Sequence, residues 1–124
     1  MPVLAAPSSP THEVGTTRFT SLATPSSGTT CTSIWSVEIA PGTPATPHSL
    51  TTEELFVVTA GRAKVLMDGA ESIAHPGDVI VVPPDTVFAL TNDGAEPLQL
   101  LCCLPVGGQA RMADGSTLTP PWSQ

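Results

Sequence analysis

Prolines and glycines, which interrupt regular secondary structure, are spaced so closely along this sequence that they limit the folds it can adopt. Fourteen prolines and ten glycines divide 124 residues into short pieces that leave no room for long helices. Several of these pieces are apolar and β-branched, and they recur roughly every eight to twelve residues, the rhythm of a sandwich or a barrel. The length fits one compact core. The sequence therefore predicts a single all-β domain.

Alternating side chains and turn signals place the individual strands. In the stretch T-S-I-W-S-V-E-I, alternation puts Trp35, Val37 and Ile39 on one face of a strand. The pair Asp68-Gly69 is a strong signal for a tight hairpin. The predicted strands cover residues 32–39, 55–59, 63–67, 72–74, 79–82, 87–91 and 98–104.

Charge and composition exclude several classes of partner. The formal net charge is -7, with only 4 Lys and Arg, so no basic patch is available for nucleic acid. No apolar run is long enough for a membrane span, and the start of the chain lacks the features of a signal peptide. We therefore expect a soluble cytoplasmic protein that binds neither nucleic acid nor a membrane. Cys31, Cys102 and Cys103 are expected to be free thiols.

Two spaced motifs give the chain a resemblance to a known family. The first, G-x5-H-x-H-x3-E-x6-G, falls on Gly42, His48, Leu50, Glu54 and Gly61. The second, G-x5-P-x-G-x2-H-x3-N, falls on Gly77, Pro83, Asp85, Phe88 and Asn92. Over residues 30–105 the chain resembles the small single-domain members of the cupin superfamily. The resemblance implies a conical, jelly-roll-like double-stranded β-helix barrel with a pocket at its wide mouth.

The resemblance also implies a metal site, from which two ligands are missing here. In the family, the two histidines and the glutamate of the first motif and the histidine of the second bind the metal. Leu50 and Phe88 occupy two of these four positions, and neither side chain can donate an electron pair. The remaining pair, His48 and Glu54, falls short of the three or four protein ligands of a zinc site. We therefore expect a degenerate metal site and no cofactor.

A thiolate is the alternative source of a third ligand. Adjacent residues of a strand face opposite sides, so either Cys102 or Cys103 faces the barrel interior. A divalent metal held by His48, Glu54 and Cys102 would give a dioxygenase-like cupin with an atypical site. The competing interpretation is that the inward cysteine is a small apolar core residue.

Without a metal, the pocket keeps an imidazole and a carboxylate among apolar walls. We expect Trp35, Leu50, Phe56, Phe88 and Cys102 to line the substrate pocket. Burial would raise the pKa of Glu54 and a nearby imidazolium would lower it, so the sequence leaves its direction open.

We expect His48 and Glu54 to be the catalytic acid–base pair of an isomerase, epimerase, lyase or cyclase acting on a small organic molecule. One alternative is a site in which the two side chains only hydrogen-bond each other. Another is a non-catalytic ligand-binding or sensing module.

The ends of the chain suggest how the molecule is organised. Residues 1–15 are expected to form a flexible arm, exchanged with a neighbouring subunit if the protein is the homodimer that the resemblance implies. Residues 16–124 form the barrel together with a turn-rich closing segment, in which Trp122 plugs one end of the core.

Other polar residues receive structural roles. We expect three of them at the surface: alternation directs Glu53 away from the pocket, His75 belongs to a Pro-Gly turn, and His12 lies in the N-terminal arm. Asp85 stands where the second motif has glycine and tolerates the same turn conformation, and Asn92 is expected to cap a turn.

Overall fold

The computed structural model describes residues 3–124 and confirms the all-β prediction. Its regular structure consists of twelve strands and two single-turn 3-10 helices, Pro25–Ser27 and Pro121–Ser123. The strands are β1 (His12–Val14), β2 (Thr17–Ala23), β3 (Thr32–Ile39), β4 (Ser49–Leu50), β5 (Glu54–Ala60), β6 (Ala63–Met67), β7 (Ala70–Ala74), β8 (Val79–Val82), β9 (Phe88–Asn92), β10 (Leu98–Pro105), β11 (Ala110–Arg111) and β12 (Thr117–Leu118). No helix in residues 3–124 is long and apolar enough to cross a membrane.

Three antiparallel sheets form the barrel wall. Their strand orders are β1-β2-β3-β10-β5-β8, β12-β11-β4 and β7-β6-β9. At the centre of the largest sheet, β10 pairs with β3 on one side and β5 on the other. Alternation along β10 directs four side chains into the core, none more than 2% exposed: Leu98, Leu100, Cys102 and Leu104.

Residues His12–Val14, at the end of the predicted arm, contribute a strand to this sheet. β1 pairs antiparallel with β2, and the Thr11 hydroxyl donates a hydrogen bond to the Phe19 carbonyl. The end of the predicted 1–15 arm is therefore paired within its own chain, while residues 1–2 lie outside the described part. Exchange of the arm between subunits and dimer formation both stay predictions.

The turns follow the local chemistry expected from the sequence. Asp68 and Gly69 both have positive φ, 51° and 76°, and join β6 to β7 in a tight hairpin. Asp85 has a φ of 57°, the left-handed conformation that glycine adopts most easily. The Asn92 side-chain amide donates to the carbonyls of Ile39 and Glu96, which confirms its turn-capping role.

Gly61 lies where the backbone of another strand approaches most closely. Its φ is +84°, and a Cβ atom at this position would lie 2.7 Å from the Pro97 carbonyl oxygen and 2.9 Å from the Leu98 Cα. Both neighbours are backbone atoms at the start of β10, so neither moves without disturbing the central sheet.

Gly61→Ala is therefore expected to lower the free energy of unfolding by about 2–3 kcal/mol, through backbone strain and overpacking together. The matched control is Gly69→Ala, because Gly69 has a similar φ of +76° but open space around its Cβ position. The control is expected to lose only about 1 kcal/mol, from the positive φ alone. Urea unfolding measures the free energy of unfolding of both variants. Equal decreases in the two variants would contradict the close contact between Gly61 and the start of β10.

Candidate functional site

A cavity of about 810 Å³ opens inside the barrel, and its wall is formed from several strands. All seven side chains that the sequence placed at the site line it: Trp35, His48, Leu50, Glu54, Phe56, Phe88 and Cys102. The structure thus brings the proposed catalytic pair and the proposed pocket residues together in one chamber. Its volume lies within the range typical of small-molecule sites.

Glu54 supplies the carboxyl group of the cavity. It is the first residue of β5, where alternation directs it and Phe56 inward and leaves Glu53 exposed. Glu54 is only 5% exposed, and its carboxyl group makes no hydrogen bond to any residue in 3–124. Burial raises the pKa of Glu54 to about 8, so at neutral pH the side chain carries its proton and can donate it.

Cys102 is the cysteine that faces the cavity. On β10 it lies opposite Trp35 of β3 and Phe56 of β5, with no exposed surface, while Cys103 is half-buried on the other face. Burial raises the pKa of the Cys102 thiol well above its usual range. The group is therefore a neutral thiol, and all three cysteines are free.

His48, immediately before β4, is held by both its backbone and its ring. Its backbone forms a bridge with Phe88, through hydrogen bonds of 3.1 and 2.9 Å, and the two rings are packed 4.6 Å apart. The His48 Nδ1 lies 2.7 Å from the Thr46 carbonyl oxygen. A carbonyl only accepts, so Nδ1 carries the hydrogen, and in the neutral ring Nε2 is the basic nitrogen.

The imidazole of His48 and the carboxyl group of Glu54 both line the cavity. Within residues 3–124, no hydrogen bond or ion pair joins His48 to Glu54. The alternative of a mutually hydrogen-bonded pair is therefore wrong. The raised pKa of Glu54 follows from burial, which also decides the direction that the sequence left open.

Comparison with known proteins identifies the family of this chain. A sequence model described as a cupin domain matches residues 35–104, more than half of the chain. The chain belongs to the cupin family. Among curated proteins, an uncharacterized protein of Methanocaldococcus jannaschii is 36% identical over 53 residues, 43% of this cupin and 42% of that protein. The chain thus spans about two fifths of the length of that relative.

Solved structures confirm the fold of this cupin. The polyketide cyclase RemF from Streptomyces resistomycificus matches with a TM-score of 0.72 at 17% identity, covering 89% of this chain and 80% of that one. A structure of the DMSP lyases RdDddP and RnDddQII matches with a TM-score of 0.66 at 21% identity, covering 84% of this chain and 52% of that one. At these identities the likeness concerns the fold alone.

The side chains of this cupin do not fit the metal site that the family resemblance implies. Leu50 and Phe88 align with two of the four ligand positions. They are 1% and 2% exposed and form part of the apolar wall of the cavity. Across residues 3–124, no group of three or more His, Cys, Asp or Glu side chains is placed to hold a metal ion. His48, Glu54 and Cys102, the alternative ligand set, each line the cavity, and their binding of a metal stays a prediction.

Restoring the two missing donors is expected to restore metal binding. A Leu50→His/Phe88→His double variant should bind Zn²⁺ at least about 10-fold more tightly than the unaltered chain, because it presents four donors to one point. Calorimetric titration with Zn²⁺ measures this, with circular dichroism to confirm folding. The matched control is Leu50→His/Val87→His, since Val87 is 59% exposed. Equal affinities in the two variants would contradict the placement of the second motif.

The mouth of the cavity includes residues that the sequence did not place there. Phe19 of β2 and Trp122 of the C-terminal 3-10 helix stack 3.6 Å apart with an interplanar angle of 5°, and both line the cavity. His12 meets Trp122 edge-on at 6.4 Å and is half-buried, so its predicted surface position is only partly correct. His75 is exposed as expected.

The C-terminal segment is tied to the largest sheet by side-chain hydroxyls. Ser21 donates to the Trp122 carbonyl and Ser33 to the Ser123 carbonyl, at 2.8 and 2.7 Å. These bonds hold Trp122 in place as part of the wall at the mouth of the cavity. A lone tryptophan after two prolines signals burial but does not identify its partner, so only the fold could identify Phe19.

Proposed function

We propose that this cupin is a metal-independent acid–base enzyme, of the isomerase, epimerase, lyase or cyclase type, acting on a small organic molecule in the apolar cavity. The observation that carries the proposal is the buried carboxyl group of Glu54, whose pKa lies near 8 and which no described residue hydrogen-bonds. A titratable group perturbed in this way inside a pocket is a strong candidate for chemistry.

The two polar groups divide the roles of acid and base. Nε2 of His48 removes a proton from the carbon next to a substrate carbonyl, and the electrons of that C–H bond form a carbon–carbon double bond. The carbonyl oxygen takes the proton of the Glu54 carboxyl, which gives a neutral enol, an imidazolium and a carboxylate. The lack of a hydrogen bond between His48 and Glu54 within residues 3–124 suits this division, because acid and base act on different substrate atoms.

The fate of the enol distinguishes the reaction types. Return of the proton to the same carbon from the other side, or to a different carbon, gives an epimerase or an isomerase. Loss of a leaving group from the neighbouring carbon gives a lyase, and attack of the enol carbon on a second carbonyl gives a cyclase. A polyketide cyclase and DMSP lyases are among the structural neighbours, so the fold is compatible with cyclase and lyase types.

A non-catalytic binding or sensing cupin is the second candidate. It is favoured by the lack of a hydrogen bond or ion pair between His48 and Glu54 within residues 3–124, since a binding pocket needs no coupled acid and base. Both candidates require a bound small molecule. They differ in whether a carbon–hydrogen bond breaks.

Deuterium exchange separates the two candidates. Two uncharged ketones of similar size, the aromatic 2-tetralone and the saturated 2-decalone, are incubated with the protein in D₂O, and NMR follows exchange next to their carbonyls. The enzyme proposal predicts saturable exchange of at least one ketone, at least about 10-fold above buffer alone. Binding without exchange would support the sensing module instead, and mass spectrometry of co-purified ligands would then identify its natural occupant.

A further inference from the structure

The chain has few aromatic residues, and all of them line one cavity. It contains three Phe, two Trp and no Tyr. Every one of the five lines the proposed active site: Phe19, Trp35, Phe56, Phe88 and Trp122. The rest of the core is packed with aliphatic side chains instead. An ordinary apolar core would spread its rings through the barrel, so their concentration here points to the surface of a bound molecule.

The rings are arranged around the cavity rather than packed into one plug. Phe56 and Phe88 are tilted by 57° with centroids 5.8 Å apart, deep in the barrel. Phe19 and Trp122 form a parallel stack at the mouth, and both are only half-buried. Aromatic side chains at both depths would contact a flat ring system along its length.

Among residues 3–124, no fixed positive charge lines the cavity. No Lys or Arg belongs to its lining. All four cations of the chain pair with acids elsewhere, in Arg18–Glu38, Arg62–Asp93, Lys64–Glu71 with Lys64–Asp93, and Arg111–Asp85. His48 alone could become cationic, and an imidazolium there could not serve as the proposed base. A carboxylate or phosphate inside would be desolvated without a partner.

We propose that the natural ligand of this pocket is an uncharged, planar aromatic molecule bearing a carbonyl or hydroxyl group. This inference rests on the proposed function, because it takes the same cavity as the active site, and it adds the chemical class of the substrate. The rings of the pocket contact the ring system of the ligand. The Glu54 carboxyl supplies the hydrogen bond to its oxygen.

Three matched probes test the two parts of the class. 2-Naphthol is aromatic and neutral, 2-naphthoate is aromatic and anionic, and 2-decalol is neutral and saturated. Calorimetric titration at neutral pH is expected to show that 2-naphthol binds about 10-fold or more tightly than 2-naphthoate, and about 5-fold or more tightly than 2-decalol. Both tryptophans line the cavity, so both indole N–H signals should shift with 2-naphthol in a ¹H–¹⁵N spectrum.

Variants at the mouth test the role of the aromatic stack. Trp122→Leu is expected to weaken 2-naphthol about 5-fold and 2-decalol less than about 2-fold, because leucine keeps apolar area but removes the ring. Phe19→Leu serves as a second variant if Trp122→Leu is unstable. Exposed Leu66→Ala, on β6 away from the cavity, should change neither affinity.

Each outcome decides the inference. Binding of 2-naphthoate as tight as that of 2-naphthol would overturn the exclusion of charge. Equal binding of 2-decalol would overturn the aromatic class, as would failure of all three probes to bind.

These titrations do not depend on turnover. If 2-naphthol is preferred but neither ketone exchanges deuterium, the ligand class stands and the acid–base function fails. If 2-decalone exchanges as fast as 2-tetralone, the function stands and the aromatic class fails.

Discussion

Glu54→Gln is expected to raise the free energy of unfolding by about 2–4 kcal/mol near pH 8 and to change it little below pH 4.5. Burial raises the pKa of this carboxyl from 4.5 to about 8. At about 1.4 kcal/mol for each unit, a shift of this size corresponds to roughly 5 kcal/mol, and contact of the open cavity with water reduces it. Glutamine has nearly the same shape but no charge to desolvate.

The direction of the pH dependence follows from the two protonation states. Below pH 4.5 both the folded and the unfolded chain hold the proton, so Glu54 costs little. Between pH 4.5 and about 8 the unfolded chain releases the proton while the folded chain retains it, so the stability of the unaltered protein falls as the pH rises. Above about pH 8 the folded chain also releases the proton, so the stability lost through Glu54 no longer increases with pH. The glutamine variant should lack this slope.

Urea unfolding at a series of pH values measures the slope. Glu53→Gln is the matched control, because it removes a carboxylate from the neighbouring, exposed position. The control should keep the slope of the unaltered protein. A Glu54→Gln variant with the same slope as the control would show that Glu54 titrates at an ordinary pKa, and the general-acid role would lose its basis.

A residue that weakens the fold at neutral pH is hard to explain by structure alone. Position 54 could hold glutamine, leucine or methionine with a gain in stability, since most side chains that line the cavity are apolar. The same Glu54→Gln change should therefore separate stability from function. It should raise the free energy of unfolding and lower the rate of deuterium exchange by about 100-fold or more.

Much of the fold is predictable from local patterns. Strands β3, β6 and β8 begin and end where alternation and turn residues place them, at 32–39, 63–67 and 79–82. In each case a strong breaker follows the strand, such as Asp68-Gly69 after β6 and Pro83-Pro84 after β8. The signals are short-range, so a single sequence contains them.

Other features depend on which segments meet in space. β4, β11 and β12 have only two residues each and exist because they pair with one another, so no periodicity marks them. The stack of Phe19 on Trp122 joins two ends of the chain. The pKa of Glu54 depended on the competition between burial and a nearby imidazole, which only the placement of both groups decides.

His48→Ala is expected to slow deuterium exchange by about 10²–10⁴-fold while leaving the free energy of unfolding within about 1 kcal/mol. The variant removes the basic Nε2, whereas the backbone bridge to Phe88 that holds this segment does not depend on the side chain. Exchange rates of the ketone probes, with unfolding curves alongside, measure the two effects separately.

Chemical rescue distinguishes a catalytic imidazole from one that only packs against Phe88. Removing the ring leaves a space beside Phe88 in a cavity that opens to solvent, so added imidazole should enter and restore part of the lost exchange rate. His75→Ala is the control, because that histidine lies in an exposed turn, and its exchange rate should match the unaltered protein with or without imidazole. If His48→Ala exchanges as fast as His75→Ala, His48 is not the base. If it is slow but imidazole has no effect, the ring acts by shaping the pocket, and the base must be sought among the other groups of the cavity wall.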